Sequence, residues 1–303
     1  MRVLVTGMRG QVVTALREAA TPEIAILPLG RPDLDLDDPD RAGAAARKAE
    51  ADIVVSAAAF TDVDRAESEP EAAHRANALA PEAIAAAAAD KGIPVIHLST
   101  DYVFSGDKGA PYLETDAAEP ANVYGRTKLD GEARVAAANR DHVILRTAWV
   151  HAPSGRNFVR TMLSAAEMKT SVTVVADQIG NPTYAPDIAD GILTVAARLL
   201  AAPGDPSLRG IFHMAAAGEA SRADLAEYVF AVSAARGGAV AEVTRVTSAA
   251  FATPARRPLD TRLDCGRIAA TYGIRLPDWR DGIDRCLTRL LPDRRAAGRG
   301  GQK

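Results

Sequence analysis

Short apolar runs separated by longer alanine-rich stretches dominate the first half of the chain. The runs RVLVT, DIVVS, VIHLS and HVILRT are almost continuously apolar, which is typical of strands buried on both faces. The stretches between them have the length and alanine content of helices. Strands and helices that alternate at this spacing predict a parallel sheet covered by helices on both sides. The sequence therefore predicts an α/β fold, a Rossmann-like doubly wound parallel sheet with a smaller C-terminal α/β lobe.

The individual elements follow from the same periodicity. Strands are predicted at 2–6, 23–29, 52–56, 94–99, 142–147, 171–175 and 210–215, and helices at 11–20, 41–50, 71–91, 122–138, 157–168, 188–200, 221–235 and 279–291. After Trp149 the alternation becomes less regular. We predict that residues 1–150 and 180–214 form the main domain and that residues 151–179 and 215–292 form the smaller lobe. The glycine-rich, basic residues 293–303 are predicted to be a disordered tail.

Composition narrows the classes of function. Of the 303 residues, 48% are hydrophobic, which is enough for a sizeable core, and the formal net charge of −3 gives no general attraction to nucleic acid or anionic membranes. No apolar run approaches the ~18 residues that a membrane span needs. The two cysteines and five histidines show no metal-ligand spacing, so no metal site is predicted. We expect a cytoplasmic protein with no nucleic-acid and no membrane partner.

A glycine turn follows the first strand and opens a helix. In VLVTGMRGQ, Gly7 permits the tight turn, and Gly10 lets the backbone approach a pyrophosphate at the N-terminus of the helix. The third glycine of a complete dinucleotide fingerprint is replaced by Val13. The motif therefore predicts a dinucleotide site in the main domain, and a structural turn without a ligand is the alternative.

The end of the second strand bears on the choice of cofactor. Arg31 lies where a dinucleotide fold meets the adenosine ribose, and it can pair with a 2′-phosphate, which favours NADPH. Asp33, Asp35 and Asp37 follow it, and one of them could instead take a ribose hydroxyl, so NADH stays possible. The small residues SAAA at the end of the third strand let the backbone pass beside a cofactor.

Two segments carry residues suited to proton transfer. Thr100 directly follows the fourth strand, where ligands bind in sheets of this kind. Tyr124 and Lys128 lie four residues apart and share one face of a predicted helix. The lysine ammonium can bind the cofactor ribose and lower the pKa of the phenol, and the threonine hydroxyl can donate to a substrate oxygen.

These motifs resemble the dTDP-4-dehydrorhamnose reductases, a branch of the extended short-chain dehydrogenases. The resemblance is carried by STDYVFSGDKGAPYLETDAAEPANVYGRTKLDGE, and SAAAFTDVDRAESEP, RTAWVH and VVADQIGNPTYAPDIA extend it to about residue 290. It implies catalytic roles for Thr100, Tyr124 and Lys128. Predicted cofactor contacts are Gly7, Gly10, Gln11, Val12, Arg31, Asp35, Leu36, Ala58, Ala59, Phe60, Thr61, Tyr124 and Lys128. Predicted substrate contacts are Thr100, Asp101, Tyr102, Trp149, Asn157, Gln178 and Arg257.

The implied activity is reduction of the 4-keto group of a dTDP-linked 4-keto-6-deoxysugar by NADPH or NADH, with dTDP-4-dehydro-L-rhamnose as the expected substrate. The main domain then binds the dinucleotide and the smaller lobe binds the substrate. Val13, Ser56 and Phe60 depart from the residues usual in the family at their positions, and they bear on cofactor affinity more than on the type of reaction. A homodimer is compatible with this assignment.

Three other functions are alternatives for a chain with these motifs. A 4,6-dehydratase of this fold needs an acid and a base after the threonine, whereas here Asp101 is followed by Tyr102, which is no carboxylate base. A nucleotide-sugar 4-epimerase retains NAD, and Arg31 disfavours that. A non-catalytic regulatory subunit, resembling that of methionine adenosyltransferase, keeps much of the same site pattern and stays open.

Overall fold

The computed structural model describes residues 1–291, so the predicted tail at 293–303 lies outside the described residues. The helices are α1 (Gln11–Glu18), α2 (Pro39–Lys48), α3 (Val63–Ser68), α4 (Pro70–His74), α5 (Ala80–Asp90), α6 (Val123–Ala138), α7 (Phe158–Met168), α8 (Ala185–Ala201), α9 (Arg222–Ala235), α10 (Gly266–Tyr272) and α11 (Trp279–Leu290). The strands are β1 (Arg2–Thr6), β2 (Ala25–Leu29), β3 (Ile53–Ser56), β4 (Val95–Thr100), β5 (His142–Thr147), β6 (Val150–His151), β7 (Ser171–Val175), β8 (Ile179–Gly180), β9 (Thr183–Tyr184), β10 (Gly210–His213), β11 (Ala220–Ser221) and β12 (Glu242–Val246).

Six parallel strands form the main sheet, in the order β10-β5-β4-β3-β1-β2. All residues of β3 and β4 are buried, as their continuous apolar sequences require. One face of the sheet packs on α1 and α8, and the other packs on α2 and α5. The doubly wound parallel sheet predicted from the sequence is confirmed. Its strand order reverses between β1 and β3, so a crevice opens there at the carboxyl ends of the strands.

A second apolar cluster lies away from this sheet. Strands β7 and β12 pair in parallel, and the buried Val172 and Val174 of β7 and the partly buried Val243 of β12 meet helices α9 and α11 around the buried Trp279. This packing agrees with a smaller lobe, while the division of the chain at residues 150, 179 and 214 stays a prediction. No helix within residues 1–291 is long and apolar enough to cross a membrane.

The structure departs from the predicted elements in a few places. The helix predicted at 71–91 is interrupted, because a π-helical turn at Arg75–Leu79 separates α4 from α5. Strand β2 begins two residues later than predicted, after a tight turn in which Thr21 and Ile24 form an isolated bridge. Helices α3 and α10 and strand β12 were not predicted, since they are short and only weakly periodic.

Candidate active site

The crevice lies where β1, β3 and β4 end. The side chain of Thr6, the last residue of β1, is fully buried, and its Oγ1 accepts hydrogen bonds from the backbone N–H groups of Ala57 and Ala58, both at 2.9 Å. These bonds hold the small residues after β3 against the glycine turn after β1. Gly7 needs its glycine there, because its φ is +103°.

A cavity of about 740 Å³ opens beside this turn. Of the predicted cofactor contacts, it is lined by Gly7, Arg31, Asp35, Leu36, Ala58, Ala59 and Phe60. A Cβ placed at Gly10 would meet no protein atom closer than 3.8 Å, so this glycine keeps open the space in front of α1. No side chain caps the first turn of α1, which leaves its N–H groups available to an anion. The site therefore fits an adenosine with a pyrophosphate at the helix N-terminus.

Two other predicted cofactor contacts, Gln11 and Val12, lie outside this cavity. Val12 packs in the apolar core, and the side chain of Gln11 accepts a hydrogen bond from that of Asn157 at 3.0 Å.

Arg31 lines the cavity with an exposed guanidinium that pairs with Asp35 at 2.9 Å and with Asp37 at 2.6 Å. A 2′-phosphate at this point would compete with both carboxylates for the same guanidinium.

Helix α6 carries the proton-transfer pair and packs closely on the residues after β4. Asn122 caps its start by accepting a hydrogen bond from the N–H of Gly125 at 2.8 Å. A Cβ at Gly125 would lie only 2.2 Å from the carbonyl oxygen of Tyr102, so glycine is required for this approach. As a result, the ring of Tyr124 lies edge-on to that of Tyr102, with centroids 5.9 Å apart.

Lys128 is buried beneath the crevice, with its ammonium held by two acceptors. It donates to the carbonyl oxygen of Leu98 at 2.6 Å and lies 3.2 Å from Nε2 of His97. Because an ammonium cannot accept, His97 Nε2 accepts and its Nδ1–H donates to Ser56 Oγ at 3.1 Å. Burial lowers the pKa of Lys128 to about 8 and, with the charge of Lys128, lowers that of His97 well below its usual value. Lys128 is thus mainly charged at neutral pH and keeps one N–H for a ligand.

The electrostatics around Tyr124 differ from the expectation drawn from the sequence. Desolvation raises the pKa of Tyr124, Asp101 and Tyr102 add to this rise, and the hydroxyl of Thr100 opposes it. Lys128 does not lower the pKa in this structure, because its ammonium is directed at Leu98 and His97. Tyr124 therefore holds its proton throughout the neutral range, as a proton donor must.

Thr100 and Asp101 form a hydrogen-bonded unit next to Tyr124. The Thr100 hydroxyl donates to one carboxylate oxygen of Asp101 at 3.0 Å, and Thr261 donates to the other at 2.6 Å. Burial raises the pKa of Asp101 to about 6. The single O–H of Thr100 must turn away from Asp101 before it can donate to a substrate.

Asn77, which the sequence analysis missed, connects both halves of the site. It lies fully buried in the π-helical turn, where its side chain binds the backbone N–H of Phe60 at 2.8 Å and the carbonyl of Phe60 at 3.1 Å. It also donates to Thr127 Oγ1 on α6 at 3.0 Å. Asn77 thereby fixes the loop at the cofactor cavity relative to the catalytic helix. The π turn that directs it inward has no recognisable signature in the sequence.

A second cavity, of about 560 Å³, adjoins the smaller lobe. Thr61, Asn157, Gln178 and Arg257, all predicted site residues, line it, whereas Thr100, Tyr124 and Lys128 line neither cavity. The amide of Asn157 is engaged in capping α7 and in bonds to Gln11 and Ala152, so its role in the structure is to hold the wall of the cavity. Gln178 donates to Ser248 at 3.0 Å.

Arg222 lines this second cavity, and Trp149 lies against its guanidinium. Trp149 has a φ of +45°, a strained conformation of the kind that clusters at functional sites. The guanidinium carbon of Arg222 lies 3.5 Å from the centroid of its ring. Sequence reasoning missed Arg222, because only the fold brings α9 against Trp149. Burial raises the pKa of Tyr102, and the charges of the nearby Arg222 and Arg257 oppose this rise.

Comparison with known proteins agrees with this geometry over the full described length. The family model described as the RmlD substrate binding domain matches residues 1–291. A dTDP-4-dehydrorhamnose reductase from Sinorhizobium fredii is 48% identical over 291 residues, covering 96% of this chain and 98% of the relative. Two crystal structures of dTDP-4-dehydrorhamnose reductases are also similar. The Clostridium acetobutylicum protein has a TM-score of 0.88 at 31% identity and covers 96% of this chain and 99% of its own.

The second structure, from Bacillus anthracis, was solved in complex with NADP. It has a TM-score of 0.87 at 30% identity and covers 95% of this chain and 99% of its own. The chain belongs to the RmlD substrate-binding domain family, the family of the dTDP-4-dehydrorhamnose reductases.

Proposed function

We propose that this chain is an NADPH-dependent reductase that converts dTDP-4-dehydro-L-rhamnose to dTDP-L-rhamnose. The observation that carries the proposal is the pair Tyr124 and buried Lys128 on one face of α6, beside Thr100 at the carboxyl end of β4. This is the arrangement that proton delivery to a carbonyl oxygen requires. Family membership supports the substrate class, and the arginine at the end of β2 supports NADPH.

Different parts of the crevice bind different parts of the cofactor. The uncapped N-terminus of α1 receives the pyrophosphate next to Gly7 and Gly10, and Arg31 receives the 2′-phosphate. The remaining N–H of Lys128 serves the nicotinamide ribose. NADPH, when bound, supplies the hydride that becomes attached to C4 of the sugar.

Tyr124 supplies the proton that completes the reduction. As the C4 oxygen gains negative charge, the phenol donates its proton to that oxygen, and the carbonyl becomes a secondary alcohol. Thr100 turns its hydroxyl from Asp101 to the same oxygen and stabilises the developing charge. The phenolate left on Tyr124 takes up a proton from solvent before the next turnover.

The smaller lobe provides the surroundings of the sugar nucleotide. Asp101, Tyr102 and Trp149 lie beside the sugar, with Trp149 forming one wall of its site. Gln178 and Arg257 line the cavity that takes the nucleotide part, and Asn157 supports the wall between that cavity and Gln11. A homodimer and a cytoplasmic location are consistent with this function.

Turnover with the sugar nucleotide tests the proposal directly. Purified protein, NADPH and dTDP-4-keto-6-deoxyglucose should give loss of the reduced nicotinamide absorbance only when a 3,5-epimerase is added, because the epimerase makes the L-configured ketosugar. Oxidation without the epimerase would assign a D-configured product instead. Nucleotide binding with no oxidation under either condition would contradict the proposal and favour a regulatory role.

Arg31 is expected to determine the preference for NADPH. Arg31→Ala removes a charge-assisted contact to the 2′-phosphate, so KM for NADPH should rise about tenfold while KM for NADH changes less than about twofold. Arg47→Ala is the matched control, since Arg47 pairs with Asp90 on the surface and does not line the cofactor cavity. Steady-state kinetics with both cofactors measures this. An equal rise in both KM values would assign Arg31 a structural role.

A further inference from the structure

Arg222 is a charged residue without an ion pair at the wall of the second cavity. It is the first residue of α9, and its guanidinium carbon lies over the ring of Trp149, 3.5 Å from the centroid, and 5.4 Å from the ring centroid of Phe158. Among residues 1–291, no carboxylate forms an ion pair with it. The nearby carboxylate of Asp101 is already bonded to two threonine hydroxyls. A partly buried charge that lacks an ion-pair partner is costly to keep, which favours a ligand as its partner.

The charges around Arg222 indicate what that ligand carries. Desolvation lowers the pKa of Arg222, Tyr102 and Asp101 oppose this, and the charge of Arg257 lowers it further. Arg257 itself is bound by both oxygens of Asp64, at 3.0 and 2.7 Å. The guanidinium groups of Arg222 and Arg257 therefore repel each other, and of the two only Arg257 has a carboxylate as its ion-pair partner. A dianionic ligand would remove this repulsion.

The composition of the cavity points to the same class of ligand. Three arginines and two aspartates line it, which leaves one positive charge in excess. The rest of its lining includes the apolar side chains Val63, Phe158, Met162, Val174, Val175 and Phe251. A cavity with arginines and apolar walls suits a nucleoside diphosphate, whose base is apolar on its faces and whose diphosphate is strongly anionic.

We propose that Arg222 binds the diphosphate of the sugar nucleotide, together with Arg257. Stacking on Trp149 holds the plane of the guanidinium, so its edge can offer two parallel N–H donors to phosphate oxygens. Because Arg222 also adjoins Tyr102, this contact fixes the distance between the diphosphate and the catalytic residues. The inference rests on the proposed function, since it assigns a residue to part of that substrate.

Calorimetric titration with thymidine diphosphate and with thymidine separates this role from a structural one. Arg222→Met should weaken thymidine diphosphate about tenfold or more and change thymidine less than about twofold. Arg222→Lys keeps the charge without the planar fork, so its loss should be intermediate. Arg47→Met is the control, because Arg47 pairs with Asp90 at the surface and lines neither cavity, so it should change either affinity less than about threefold.

The outcomes distinguish the possible failures. Two results would overturn the role of Arg222 and leave the proposed function intact. One is that Arg222→Met weakens the binding of both ligands equally. The other is that thymidine diphosphate binding is not weakened in a folded Arg222→Met or Arg222→Lys protein. Wild-type protein that binds NADP but neither thymidine compound would overturn both. A steeper salt dependence of thymidine diphosphate binding in the wild type than in Arg222→Met would support the contact.

Discussion

Replacing Tyr124 by phenylalanine should lower kcat by about 10²–10⁴-fold, because the variant has no proton to give to the C4 oxygen. KM for the sugar nucleotide should change little, since the ring and its edge-on contact with Tyr102 remain. The expected loss lies in the chemical step. Single-turnover absorbance measurements with saturating NADPH and ketosugar would show it.

Tyr102→Phe is the matched control for this experiment. Both tyrosines lie in the same crevice, and burial raises the pKa of each, but only Tyr124 has Lys128 one helical turn away. We expect Tyr102→Phe to lower kcat less than about tenfold and to act mainly on KM. A large loss in Tyr102→Phe together with near-wild-type turnover in Tyr124→Phe would contradict the assignment of Tyr124 as the proton donor.

The contrast between the two tyrosines shows how far the sequence could go. The four-residue spacing placed Tyr124 and Lys128 on one helical face, and the structure places them there. It could not give the direction of the lysine ammonium, which depends on the carbonyl of Leu98 and on His97 in β4. The expected lowering of the Tyr124 pKa was wrong, because the contacts that direct the Lys128 ammonium come from β4 and not from its own helix.

The main sheet was predictable because each of its central strands is buried on both faces and leaves a continuous apolar run in the sequence. The same reasoning fails around Asn77. An alanine-rich stretch predicted one long helix, whereas the structure has a π turn there. At this turn α6 packs against the carbonyl of Asn77, a contact that only a glycine at position 131 permits. Arg222 was missed for a similar reason, since its place in the site depends on a contact with Trp149, which is distant in the sequence.

The largest expected effect on stability lies directly beneath the catalytic helix. Glu132, one turn after Lys128, accepts two hydrogen bonds from Arg146 of β5, at 2.9 and 2.6 Å, and a third from Ser99 of β4. Both charged side chains are only 3% exposed. Each buried charge is therefore compensated by the other. Their hydrogen bonds link α6 to β4 and β5, the two strands that end at the site.

Breaking this pair from either side should cost about 3–5 kcal/mol of unfolding free energy, because the remaining charge stays buried without a partner. Urea unfolding of Glu132→Leu and Arg146→Met, each followed by circular dichroism, measures the loss. The double variant removes both charges of the ion pair, so it should recover most of the stability that each single variant loses. Arg245→Met is the exposed control, since Arg245 pairs with Asp224 and Glu227 at the surface and should cost less than about 1 kcal/mol. Additive losses in the double variant would mean that packing, and not the uncompensated charge, accounts for the cost of the single changes.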